Sequence, residues 1–230
     1  MHALIESAPL APCPAPFNMA AYVLAAGATT PDKIALQILG VTRAERWSYG
    51  ALTRAVRGIG TGFLDAGLNP GDRVLLRLGN TVDFPLAYLG ALAVGLVPVP
   101  TSSQLTAPEI TAMAAQVDPT LIVAEPGIAR PAHPAPVIDT PVLRAWRGLP
   151  ECAWQMGDPE RPGYMIFTSG TSGRPRAVVH AHRAVWARRM MWGDWYGLTP
   201  DDRLLHAGAF NWTYTLGTGL MDPWAIGATA

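Results

Sequence analysis

The amino-acid sequence predicts an α/β protein in which mostly parallel sheets carry flanking helices. Between residues 34 and 124, short apolar runs of strand character alternate with stretches whose apolar positions recur at helical spacing. Three strand–helix units in succession imply a largely parallel sheet. Half of the 230 residues are hydrophobic, which is enough to bury a substantial core.

The first sixteen residues, with Glu6 and the closely spaced Pro12, Pro14 and Pro16, read as a flexible arm rather than a signal peptide, because no basic region leads into a long apolar one. Ile34 to Leu39 and Arg46 to Tyr49 read as paired strands. Leu52, Val56, Ile59 and Phe63 then recur on one helical face, with Arg54, Arg57, Thr61 and Asp65 between them. Gly67 and Asn69-Pro70-Gly71 stop that helix. Val74 to Leu78 is a strand, Asn80 or Thr81 is placed to cap a second helix ending near Gly95, and Leu96 to Val99 is the next strand. Thr106 and Glu109 have capping-box spacing, with Pro108 in the first turn of a helix running to about Gln116. Leu121 to Ala124 follows as a strand.

From Glu125 to Pro162 the repeated prolines predict an irregular connector between lobes. Order is expected to resume at Gly163 with a strand, a loop, a second strand at Ala177 to His180 and a helix from His182 to Trp195. A turn at Thr199 to Asp202, a strand-like Arg203 to Ala207 and a helix from Leu216 to Trp224 complete the chain. The uncharged stretch from Phe84 to Pro100 is short for a membrane span and ends in Val97-Pro-Val-Pro100, so a buried helix and strand are expected there.

The richest segment is Tyr164-Met-Ile-Phe-Thr-Ser-Gly-Thr-Ser-Gly-Arg-Pro-Arg-Ala-Val-Val-His180, an apolar strand emptying into hydroxyl and glycine residues. Gly170 and Gly173 allow close backbone approach, and Thr168, Ser169, Thr171 and Ser172 add donors suited to a polyphosphate. A glycine–serine surface turn is the alternative. A Walker loop is excluded, because Pro175 stands where the second glycine belongs and Lys33 is the only lysine. A nucleophile elbow is one residue out of register.

Seventeen basic residues balance seventeen acidic ones, so no net field favours nucleic acid or an anionic membrane. Cys13 and Cys152 lie in no metal-like or redox-like spacing, which fits a cytoplasmic protein. His180 and His182 lack a suitably spaced third ligand, so no metal site is expected.

Thr168-Ser-Gly-Thr-Ser-Gly-Arg-Pro-Arg176 resembles the signature loop of the AMP-forming acyl-adenylating superfamily of acyl-CoA synthetases, peptide-synthetase adenylation domains and luciferases. Trp47-Ser-Tyr-Gly-Ala-Leu52 is similar to the family's Thr-Tyr-x-Glu-Leu motif, and Leu92 to Pro100 to its Lys-Ala-Gly-x-x-x-Val-Pro motif. Within the superfamily, Asp83 to Ala91, Val97-Pro-Val-Pro100 and Val178-Val-His-Ala-His182 resemble benzoate and related aryl-CoA ligases.

The resemblance covers residues 17–230 as the N-terminal part of the adenylating domain. It implies that a carboxylic acid attacks the α-phosphate of ATP to give an acyl-adenylate and pyrophosphate, after which coenzyme A displaces AMP. Thr168, Ser169, Gly170, Thr171, Ser172, Gly173 and Arg176 would then hold the β- and γ-phosphates. Arg176 replaces a family lysine, with sixteen arginines against one lysine in the chain; functional change and compositional drift both remain open. By the same resemblance, Phe210, Trp212 and Tyr214 would wall the acyl pocket, against the alternative of ordinary core, and His182 would pack beneath the loop. The family's adenine site, its magnesium-binding glutamate and its late catalytic lysine have no counterpart here, so no catalytic residue is expected in this chain. Either a missing C-terminal half or a complementary chain supplies them, or the chain is a non-catalytic remnant.

Overall fold

The computed structural model describes residues 11–168 and 175–230. Five of the expected loop residues, Ser169, Gly170, Thr171, Ser172 and Gly173, lie outside them, as do residues 1–10 of the expected arm. Pairing inside the arm's remainder is definite: the Ala11 carbonyl accepts from Trp186 Nε1 at 3.3 Å and from Arg189 Nη2 at 3.0 Å.

The chain opens with α1 (Met19–Leu24), capped by Asn18, whose Oδ1 accepts from the Ala21 N–H at 3.1 Å. An antiparallel pair follows, β1 (Ile34–Leu39) and β2 (Ala44–Ser48), and then α2 (Tyr49–Asp65). The main sheet contains β3 (Arg73–Arg77), β4 (Val97–Pro100), β5 (Leu121–Ala124) and β6 (Val137–Asp139) in the order β4-β3-β5-β6, with every pair parallel. Helices α3 (Asp83–Ala93) and α4 (Ala107–Val117) make the crossovers.

Alternation along β3 sends its side chains into two cores. Val74 and Leu76 join the cluster with α2 and α3, while Leu75 joins Val99, Ile122 and the α4 residues Ile110, Met113 and Val117. Helix α3 is buried at all of its positions, as expected for a helix that is apolar all round. Full burial stabilises each Leu, Val or Phe by about 1.5–3 kcal/mol, so this layer anchors the fold. The expected capping box at α4 forms, with the Thr106 side chain facing the Glu109 N–H and Glu109 Oε2 accepting from both the Thr106 N–H (2.8 Å) and its hydroxyl (2.7 Å).

Several expectations are corrected. The proline-rich stretch contains β6 and α5 (Thr140–Trp146). Pro136 precedes the strand and offers only its carbonyl, to the Ile122 N–H at 3.0 Å, and Pro141 occupies the first turn of α5, where a missing N–H costs little. Helix α5 docks on α2 because Gly62 is bare: a Cβ there would lie 2.2 Å from the Trp146 ring. Neither Asn80 nor Thr81 caps α3, since no side chain bonds its N-terminus.

The second half of the chain is less regular. β7 (Pro162–Thr168) and β8 (Arg176–Ala181) form an antiparallel hairpin. The helix expected from His182 to Trp195 is only α6 (Ala184–Arg188), continued by a 3₁₀ turn and a π-helical turn at Trp192–Tyr196. Similarly, Leu216 to Trp224 divides into a π-helical run, Thr215–Met221, and α7 (Asp222–Ile226). Arg203 to Ala207 forms no strand; only Arg203 bridges, in parallel, to Thr229. Residues 229–230 run beside β1, with the Gln37 N–H donating to the Ala230 carbonyl at 2.8 Å and the Ala230 N–H to that of Ala35 at 2.9 Å.

Candidate functional site

The β7–β8 hairpin delivers the ends of the predicted phosphate loop to the C-terminal edge of the parallel sheet, where ligands in open α/β sheets usually bind. Its register pairs Thr168 directly with Arg176, and both are exposed. Next to this pair lies a cleft of about 350 Å³. One wall is Pro100, Thr101, Ser102 and Leu105, from the segment after β4, with Met113 of α4; Ile166, Phe167, Thr168 and Pro175 form the second, and Asn211 and Trp212 the third.

The structure therefore brings together Thr168 and Trp212, two residues selected from sequence on separate grounds. Trp212 is 66% exposed, with its ring available at the cleft. Phe210 is buried instead, its ring 5.8 Å from Phe84, and it lines a neighbouring cavity of about 260 Å³ with His206, Thr215 and Asn80. Tyr214 is 64% exposed and lies 5.4 Å from the His206 ring. The three aromatics thus face different surroundings.

His182 is not brought to the cleft. It follows β8 at the end opposite Arg176, wholly buried, with Nδ1 accepting from the Met19 N–H at 3.0 Å. Burial first, and the nearby Arg161 second, push its pKa down to about 3, so the ring is neutral and carries its proton on Nε2.

Two contributors were missed at the level of sequence. Asn80 tethers the aromatic segment: its Oδ1 accepts from the Phe210 N–H at 3.0 Å and its Nδ2 donates to the Gly208 carbonyl at 3.4 Å. Its place between strand and helix reads as a cap, and nothing local signals a partner 130 residues away. Arg77, at the end of β3, is buried against the wall that holds Thr101, Ser102 and Leu105. A charge closing an apolar strand run was the available signal.

Among the described residues, no group of three or more His, Cys, Asp or Glu side chains gathers to hold a metal, and no helix is long and apolar enough to cross a membrane.

Residues 24–230 match the family described as AMP-binding enzyme. The chain belongs to that family. It is 29% identical over 201 residues to a 4-hydroxybenzoate–CoA/benzoate–CoA ligase of Rhodopseudomonas palustris, covering 80% of this chain and 37% of that protein. It is 27% identical over 230 residues to a benzoate–CoA ligase of Thauera aromatica, covering 91% and 40%. In fold it is similar to a benzoate CoA ligase from Burkholderia xenovorans, with a TM-score of 0.78 at 24% identity over 93% of this chain and 45% of that one. A Brucella canis acyl-CoA synthetase gives a TM-score of 0.81 at 22% identity, covering 93% and 42%. The chain thus spans about two fifths of the length of these curated relatives, and corresponds to the N-terminal part of the acyl-CoA ligase fold.

Proposed function

We propose that these residues form the phosphate-side part of a ligase that activates a carboxylic acid with ATP as an acyl-adenylate and passes the acyl group to coenzyme A. The observation that carries this reading is the pairing of exposed Thr168 and Arg176 at the mouth of a largely apolar cleft. A hydroxyl and a guanidinium suit a polyphosphate, and a largely apolar cleft lined by Phe167 and Trp212 suits an aromatic acid; the benzoate–CoA ligases among the relatives support that class.

When bound, ATP supplies the electrophilic phosphorus and the pyrophosphate leaving group. The loop residues 168–173 and Arg176 would bind and orient that leaving group, and a donor aimed at growing charge contributes roughly 3 kcal/mol to catalysis. Arg176 offers a planar fork where the family has a compact ammonium group, which changes contact geometry but keeps the charge. Trp212 and Phe167 would exclude water from the acid. Magnesium does not fit the described residues, which gather no acidic cluster; the glutamate for it, the adenine site and the late lysine would come from further sequence or a complementary chain. Two free cysteines accord with a cytoplasmic setting.

The test is calorimetric titration of the chain with ATP, followed by benzoate-dependent pyrophosphate exchange with the family's remaining segments supplied. Binding of ATP, and exchange only in the completed protein, is the expected result. ATP binding without exchange in the completed protein would favour a non-catalytic remnant, and absence of ATP binding would contradict the reading.

A further inference from the structure

Buried charges in proteins are normally paired, and the buried aspartates here follow the rule. Asp83 lies between Arg144 and Arg147, and Asp222 faces Arg188. Arg77 is as fully buried as either aspartate, yet no carboxylate is among its partners in the described residues. Its Nε donates to the Ala129 carbonyl at 2.9 Å, Nη1 to Thr101 Oγ1 at 3.2 Å and to the Ser102 carbonyl, and Nη2 to the Leu105 carbonyl at 3.2 Å. Four neutral oxygens satisfy the fork without cancelling its charge. Burial lowers its pKa to about 10, whereas Arg144, hydrogen-bonded to Asp83, is raised. Arg77 stays a cation at neutral pH.

Three of those four partner residues, Thr101, Ser102 and Leu105, line the cleft, so the charge sits one hydrogen bond behind its wall. The Thr101 hydroxyl is already committed, donating to the Leu76 carbonyl at 2.7 Å. Ser102 Oγ accepts from the Gln104 N–H at 3.3 Å, which leaves its own proton for a ligand. Of the rest of the lining only Thr168 and Asn211 are polar and no lining residue is charged, so no lining charge offsets the cation's field inside the cleft.

We propose that the cleft binds an anionic group, carboxylate or phosphate, seated at Ser102 with Arg77 as its buried counter-charge. The apolar body attached to it would rest on Leu105, Met113 and Phe167. This deepens the ligase reading and rests on it, since both the acid and the polyphosphate are anions. Arg77 acts through the wall as a positioning residue and does not touch the ligand.

The experiment is calorimetric titration of the 230-residue chain at low ionic strength with pyrophosphate, benzoate and the neutral isostere benzamide. Wild type is compared with Ser102→Asp, which places a fixed carboxylate beside the cation, and with Arg77→Met. Wild type should prefer an anion to benzamide, and whichever anion responds identifies the source, phosphate or acid. Ser102→Asp should weaken that anion about tenfold or more, weaken benzamide by much less and raise the melting temperature. Arg77→Met, with folding checked by its melting curve, should lose the preference for the anion. Unchanged anion binding in Ser102→Asp, an equal loss of benzamide, or no binding of any probe to wild type would overturn the proposal. A failure of ATP binding with the Ser102→Asp response intact would bring down only the ligase reading.

Discussion

The parallel-sheet unit built from β3 to β6 and the segment from His182 to Ala230 are made of similarly apolar sequence, yet they differ in regularity. In the first, β4 and β5 are buried throughout, β3 at all but its first residue, and α3 at every position. In the second, helices relax into 3₁₀ and π turns, and Trp195, Leu205, Trp212 and Tyr214 stand in solvent. π-helical turns recur at functional sites, where a distorted ladder re-aims side chains. The sheet unit is a rigid frame, and the later segment is where site residues are displayed.

The contrast can be broken most forcefully in the frame. Phe63→Ala, in the helix α2 that shares the frame's core with Val74 and Leu76, empties a fully buried position against Trp146, 5.4 Å ring to ring, and should cost about 3–5 kcal/mol by chemical denaturation. Trp195→Ala, a residue of similar bulk in the irregular segment, should change stability by no more than about 0.5 kcal/mol. Equal losses would erase the distinction between the regions.

The irregular segment has its own anchor. Arg188 is bonded to Asp222 at 2.9 and 2.5 Å, and Trp192 Nε1 donates to the same carboxylate at 3.2 Å, so α6, the turn after it and α7 share one buried carboxylate. Asp222→Ala leaves the arginine without its partner and should cost about 3 kcal/mol. The Arg188→Met/Asp222→Leu double variant should recover most of that loss, which a double-mutant cycle would reveal.

His182 ties the later segment to the start of α1, and it sharpens the comparison through pH. Its folded pKa of about 3 lies below the unfolded value of 6.5, so between these values the unfolded state binds more protons. Stability from this residue is complete above pH 6.5 and falls as acid is added, by about 2 kcal/mol at pH 5. His182→Gln should flatten the pH dependence across that window; an unchanged slope would mean another group carries it. A smaller effect than at His182 is expected at Asn80, where Asn80→Ala removes two hydrogen bonds to the 208–210 segment. It should cost about 1 kcal/mol and alter ligand-induced tryptophan fluorescence more than melting.

What was legible in sequence follows the same division. Uninterrupted apolar runs located β3, α3 and β5 because their burial is written into consecutive residues, and Thr106 with Glu109 marked the start of α4 three residues apart. β6 and α5 escaped because proline counts suggest disorder, although Pro136 and Pro141 sit where a missing N–H is harmless. The helix after His182 was overextended, since apolar spacing does not reveal that Arg188 turns back to Asp222. At the site, residue type singled out the hydroxyl–glycine run, and the family resemblance singled out Trp212. Asn80 and Arg77 were not, because their partners are distant in sequence and their roles exist only once the sheet has folded.

The most direct test of the account is titration of the chain with pyrophosphate in wild type, Arg176→Ala and Arg176→Lys. If Thr168 and Arg176 frame a polyphosphate site, Arg176→Ala should weaken binding tenfold or more, the loss of a charge-assisted hydrogen bond of about 1.5–3 kcal/mol. Arg176→Lys should restore most of it, with melting unchanged throughout. Pyrophosphate binding that is indifferent to all three side chains would contradict the assignment.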